Sequence, residues 1–269
     1  MLHYMVCFRT GLVVKNFSWL ILLWVIPTQA SDLQREARWA NQIVDAIVVG
    51  EPIWLEAGNH RFLSIYTEPT DEKRRGALIL VHGIGVHPYW PEVINPLREQ
   101  LPEQGWATLS LQMPVLSADA GVNEYYPIFP EALPRIEAGM RYLHQQGYQT
   151  LVIAGHSLGS EMAAYWVSQS TDGALKGFIA VGLSGAERSG YGDTLGHLEK
   201  IAQPTLDIFG EHDLRTVSLT RTARLDAARR GGNSAYSQVE VKGAGHMFRG
   251  YDAPLVEAVA KWLGGLTRD

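Results

Sequence analysis

The sequence predicts an α/β domain, a mostly parallel sheet with helices on both faces, on three observations. Short apolar runs recur at 77–81, 107–111, 151–154, 178–181, 205–209 and, more weakly, 237–241; continuous apolarity of that length marks strands buried on both faces. Stretches of helical length separate these runs, which calls for crossover connections and parallel neighbours. The alternating segments 53–57 and 61–67, around Gly58-Asn59, read as a half-exposed hairpin suited to the edge of such a sheet.

Taken in order, the chain begins with basic Arg9 and Lys15, an apolar run at 17–26 and a small-residue site, Thr28-Gln29-Ala30. That order is the order of a secretory signal cut after Ala30, and an apolar core of about ten residues is short for a membrane span. The expectation is an exported protein, periplasmic or secreted, with no stable span once residues 1–30 are removed. Residues 31–49 place Trp39, Ile43, Val44 and Ile47 at helical spacing, with Gly50 and Pro52 as terminators, and predict an amphipathic leading helix. The hairpin and the first buried strand follow. Helices are predicted at 91–104, 130–146, 158–169, 218–230 and 253–263, while 112–129 and 184–201 carry no clear period. With no repeat or low-complexity linker, residues 31–269 read as one domain.

Composition limits the function. At 46% hydrophobic and 19% charged the chain is globular, and a formal net charge of −5 without a basic patch argues against a nucleic-acid partner. Its one cysteine, Cys7, lies within the signal, so the mature chain has no thiol nucleophile, disulfide or thiolate metal site. His82 and His87 lack a neighbouring carboxylate or cysteine to complete a ligand set, so neither metal nor cofactor is expected.

Chemistry enters at Gly155-His156-Ser157-Leu158-Gly159. This G-x-S-x-G sits between a buried strand and a helix, where a sharp turn lifts the serine hydroxyl above the sheet edge. A side chain at 155 or 159 would collide with the neighbouring strand or helix. A serine hydroxyl needs a base, and the expected chain order is serine, acid, histidine. The strand at 205–209 runs into Gly210-Glu211-His212-Asp213, and the strand at 237–241 into Gly243-Ala244-Gly245-His246. Asp213 and His246 are therefore the predicted acid and base. Asp207, inside an apolar strand, reads as a hydrogen-bonded structural residue; Glu211, His212, His197 and His144 read as solvated, and His156 as packing beside the turn. Two amides must hold an oxyanion: that of Leu158, after the nucleophile, and that of Ile84, between Gly83 and Gly85 in the loop after the first buried strand.

Together these motifs resemble the α/β-hydrolase superfamily over nearly all of residues 31–269. More narrowly, HGIGVHPYWP, GWATLSLQMPVL, NEYYPIFPEALPRI and GAGHMFRG resemble an exported proteobacterial α/β-hydrolase-like group of undefined activity. The resemblance implies the α/β-hydrolase fold with Ser157 as nucleophile, Asp213 as acid, His246 as base, and Leu158 and Ile84 as oxyanion amides. It also implies a cap after the strand following the serine, for which only 184–201 is available, so a small one is expected. Tyr125, Tyr126, Ile128 and Phe129 would then supply pocket wall, with plain core packing as the rival role. The expected activity is hydrolysis of carboxylic esters, or thioesters, through an acyl-enzyme. The alternative is a cell-envelope binding or assembly protein that keeps the fold with its triad idle.

Overall fold

In the computed structural model, residues 1–2, 31–70, 74–185, 188 and 190–266 are described. The signal at 1–30 therefore lies almost wholly outside the described residues. In order, the elements are α1 (Leu33–Ile43), β1 (Glu51–Ala57), β2 (His60–Thr67), β3 (Gly76–Val81), α2 (Ile94–Gln100), β4 (Trp106–Leu111), α3 (Val122–Tyr125), α4 (Phe129–Gln145), β5 (Leu151–His156), α5 (Leu158–Val167), β6 (Leu175–Val181), α6 (Thr194–Leu198), β7 (Thr205–His212), α7 (Arg215–Ser218), α8 (Arg221–Arg230), β8 (Tyr236–Gly245) and α9 (Asp252–Leu266).

The eight strands form one sheet in the order β1-β2-β4-β3-β5-β6-β7-β8. Only β1 and β2 run antiparallel to their neighbours, as the hairpin predicted; β3 to β8 are parallel. Period-two alternation divides the core. On β3, Ala77, Ile79 and Val81 face a layer that includes α4, α5, α6 and α8, whereas Leu78 and Leu80 face α2 and α9. Strands that supply apolar side chains to both layers must be apolar throughout, which is why these runs stood out.

The leading helix is shorter than its pattern. It is α-helical over Leu33–Ile43, capped by the Asp32 carboxylate on Arg35 N, and ends in a 3-10 turn at Val44–Ala46. Buried Glu36 accepts both Arg135 nitrogens, at 2.8 and 3.0 Å, and so ties α1 to α4. The two stretches without a clear period contain only short pieces. The first holds α3 and a 3-10 turn at Tyr126–Ile128; the second holds a 3-10 turn at Gly190–Gly192 and α6, the small cap the sequence predicted. Within it the expectation for His197 is corrected. Its ring is buried against Tyr165 and its Nε2 donates to Tyr191 O, because Asp193 caps α6 and the helix packs onto α5. No helix among the described residues is long and apolar enough to cross a membrane.

Candidate active site

β3 has β4 on one side and β5 on the other, so strand order reverses there, and the carboxyl ends beside such a reversal form a crevice. β5 ends at His156, and Ser157 follows with φ 54° and ψ −124°, a conformation costly for a residue with a Cβ. The turn is held by Ser157 N donating to Val181 O at 2.8 Å and by Ser160 N donating to Ser157 O at 2.9 Å. Its glycines are dictated by contact. A Cβ on Gly159 would lie 2.3 Å from His82 O, and one on Gly155 2.5 Å from Gly159 O. Both are impossible distances, so α5 can start this close to β3 and β5 only with glycine at each position.

The strand ends bring the three predicted side chains together. His246 Nε2 lies 2.9 Å from Ser157 Oγ, and His246 Nδ1 lies 2.6 Å from Asp213 Oδ1. In the tautomer this geometry requires, the serine O–H donates to Nε2 and Nδ1–H donates to the carboxylate. Gly210 N and Leu214 N also donate to the Asp213 carboxylate, at 3.1 and 2.7 Å, and its side chain is sealed from solvent. Burial by itself would raise this acid, but the hydrogen bond and charge of His246 and the two amides outweigh it and hold Asp213 below the usual carboxylate range. Gly182 makes room for the imidazole, since a Cβ there would sit 2.9 Å from its ring atoms.

Two further histidines brace the site. His156 is buried; its Nε2 donates to His246 O at 3.1 Å, and burial, then the nearby His246, pushes it down to about 4. It packs beside the turn, as expected, and holds the backbone of His246. His82 is likewise buried. Its Nδ1 donates to Gly83 O at 2.9 Å and its Nε2 accepts from Met113 N at 2.9 Å, a neutral ring that burial pushes down to about 3. This ring fixes the loop that carries Ile84. Arg35 grips the same loop from α1, donating to Gly85 O at 3.2 Å, and Gly85 turns it at φ +66°. Ile84 and Leu158, the two residues predicted to supply oxyanion amides, border one pocket with Ser157.

That pocket encloses about 210 Å³ and is also lined by Val122, Tyr126, Glu161, Arg188, Leu214 and His246. Larger grooves of about 430 and 500 Å³ lie by α4 and α9 and include neither Ser157 nor His246. The aromatic prediction divides. Tyr126 lines the pocket, but Tyr125 and Phe129 are corrected to core residues: both are buried, and the Tyr125 hydroxyl accepts from Leu116 N at 3.0 Å instead of facing a substrate. Ile128 is buried too. On a turn of helix only one side chain in about four can face the cavity.

The rival acids and bases are accounted for. Asp207 is fully buried and holds Arg224, Tyr236 and Gln238. Glu211 and His212 are exposed, with Glu211 accepting from Gly243 N, while half-exposed His144 pairs with Asp172 at 2.9 Å. Sequence reading missed Glu161 and Arg188. For Glu161 a signal existed: an acid four residues after Ser157, in an otherwise apolar helix, shares the serine's face. No group of three or more His, Cys, Asp or Glu side chains among the described residues is placed to hold a metal ion.

A family model described as "Protein of unknown function (DUF3530)" matches residues 27–132 and 130–263. The chain belongs to the DUF3530 family. Curated proteins give no match. Among solved structures, this DUF3530 protein is similar to an alpha-beta serine hydrolase homologue from Coxiella burnetii, at TM-score 0.63 and 18% identity over 81% of this chain and 99% of that one. It is similar to Est1E from Butyrivibrio proteoclasticus at TM-score 0.62 and 16% identity, over 81% and 98%. XC6422 from Xanthomonas campestris, described as an a/b serine hydrolase without lid, aligns at TM-score 0.64 and 16% identity over 83% and 97%. At such identities the likeness concerns the fold, and this DUF3530 chain has the α/β-hydrolase fold.

Proposed function

We propose that this DUF3530 protein is a serine hydrolase that cleaves carboxylic esters, thioesters being open to the same chemistry, through an acyl-enzyme. The observation that carries the reading is the unbroken line from Asp213 Oδ1 to His246 Nδ1 at 2.6 Å and from His246 Nε2 to Ser157 Oγ at 2.9 Å. Ser157 Oγ attacks the ester carbonyl while His246 takes its proton, and Asp213 stabilises the imidazolium. The N–H groups of Leu158 and Ile84 receive the oxyanion. Collapse of the tetrahedral intermediate breaks the bond to the alcohol, which leaves with the proton from His246. Water then gives a proton to His246 and attacks the acyl carbon, and release of the acid returns that proton to Ser157. A pocket of about 210 Å³ lies below the ~300 Å³ of ordinary ligand sites and supports a short acyl group.

The test is labelling by a neutral fluorophosphonate, which reacts only with an activated serine. Labelling of folded protein that vanishes in Ser157→Ala is expected; absence of labelling in the parent protein would overturn the assignment. We further propose that the chain is exported and begins at Ser31 after cleavage. N-terminal sequencing of protein from the cell envelope and medium checks this, and an intact Met1 there would refute it.

A further inference from the structure

The mouth and the interior of the pocket beside Ser157 differ. Ile84, Val122 and Leu214 are exposed apolar side chains at its border, whereas Tyr126, Glu161 and Arg188 line it with polar groups. Arg188 carries its guanidinium 4.7 Å from the centre of the Tyr126 ring, and its Nη1 is buried with no hydrogen-bond partner among the described residues. The Tyr126 hydroxyl donates to Glu161 Oε2 at 3.0 Å.

Elsewhere in this protein buried guanidinium groups are matched to carboxylates, Arg135 to Glu36 and Arg224 to Asp207. No ion pair joins Arg188 to Glu161 among the described residues, although both line one small cavity. A buried donor left unpaired is costly, and in a substrate pocket the missing acceptor is what a ligand can bring. Glu161 does not cancel the charge: burial pushes its carboxyl up to about 8, with Thr194 offsetting part of the rise, so at neutral pH it is a hydrogen-bond donor. The protein's overall formal charge is −5, so attraction of an anion here is local to the pocket.

We propose that Arg188, with the Tyr126–Glu161 pair beside it, selects esters that carry a second, ionised carboxylate close to the scissile carbonyl. This rests on the reading of Ser157 as nucleophile. Ser157 and Arg188 line the same pocket of about 210 Å³, which leaves room for only a short chain between the scissile carbonyl and the carboxylate, so a half-ester of a short dicarboxylic acid fits it.

The experiment compares kcat/KM in two pairs. The mono-p-nitrophenyl ester of glutaric acid against its methyl-capped diester tests an anion on the acyl side; a carboxylated nitrophenyl butyrate against p-nitrophenyl butyrate tests the alcohol side. The charged ester should be preferred by ~10-fold or more in one pair, about the value of one charge-assisted hydrogen bond. In Arg188→Gln that ratio should fall toward one, chiefly through KM, and Arg188→Lys should keep part of it. Ratios near one in both pairs for the parent protein, which needs no variant to fold, overturn the inference, as does a ratio unchanged in Arg188→Gln. If neutral esters are cleaved and Ser157 is labelled, only the anion selectivity has failed. If no ester is cleaved, the inference falls in every case, and a missing phosphonate label shows that the nucleophile assignment has fallen with it.

Discussion

Two aspartates six residues apart on and just past β7 show what separates a structural carboxylate from one poised for chemistry. Asp207 lies mid-strand, wholly buried, and its oxygens are taken by Arg224 at 2.8 and 3.3 Å, by Tyr236 at 2.6 Å and by Gln238 at 2.8 Å. All its partners are fixed, and no chain of protons leads out. Asp213 lies past the strand end, equally sealed from solvent, but its third donor is an imidazole whose far nitrogen faces a hydroxyl at the wall of a pocket. A closed network resists change, while a network that ends on a titratable ring can pass a proton onward. Chain position accounts for the difference, because side chains at the carboxyl ends of parallel strands face the crevice and those mid-strand face packed helices.

The sharpest way to break this contrast is to change each aspartate in turn. Asp213→Asn should lower kcat by ~10⁴-fold while the thermal midpoint barely moves, because the imidazole loses its orienting charge and correct tautomer. Esterase kinetics beside a melting curve check it, and unchanged turnover would remove Asp213 from the site. Asp207→Ala should do the reverse. Leaving Arg224 buried without its partner should cost ~3–5 kcal/mol of stability, with kcat per folded molecule close to the parent value, as read by urea unfolding with active-site titration.

His82→Phe sharpens the comparison from another side, since His82 is a buried hydrogen-bonded ring that touches no reacting atom. Without it Met113 N loses its acceptor and the Gly83 carbonyl its donor. If the Ile84 amide is positioned by this ring, kcat should fall by ~10²-fold with KM little changed, the usual cost of an oxyanion donor.

Glu161 is another buried acid, and no ion pair among the described residues holds its charged form. Its folded-state value of about 8 lies above the ordinary 4.5, so ionising it costs stability. The folded state keeps a proton that the unfolded state has lost, and stability should decline as pH rises from about 4.5 to 8 and level off above. Glu161→Gln should therefore be more stable than the parent at pH 8 by up to a few kcal/mol, at about 1.4 kcal/mol per unit, and should match it near pH 4. Asp213 has the opposite sign: held below its ordinary range, it contributes stability above that range and loses it as acid protonates it. Melting curves across pH for the parent and Glu161→Gln separate the two. The smallest effect concerns chain length. Butyrate esters should be cleaved faster than pentanoate esters by a factor of up to ~10–200, since one excess methylene in a small pocket is worth ~1–3 kcal/mol at most.

Much of this molecule was legible in the chain. The apolar runs at 77–81 and 151–154 became β3 and β5 because a strand between two helix layers has no polar face to spare. Ser157, Asp213 and His246 could be read from their places after buried strands, where local turn chemistry, and Gly155 and Gly159 above all, admits few alternatives. Three neighbouring aromatics could not be sorted in that way. Tyr125 and Phe129 went to the core and Tyr126 to the pocket, and His197 went inside where a loop had suggested solvent.

The order of strands and helices, the glycines of the turn and the order of the three polar residues were thus fixed by local sterics and periodicity, which a linear chain displays. Which side of a short helix meets the cavity, that burial raises Glu161, and that Arg188 Nη1 has no hydrogen-bond partner among the described residues depend on what the rest of the chain lays over those side chains. Burial and pairing are properties of surfaces in contact, so only the tertiary structure could decide them.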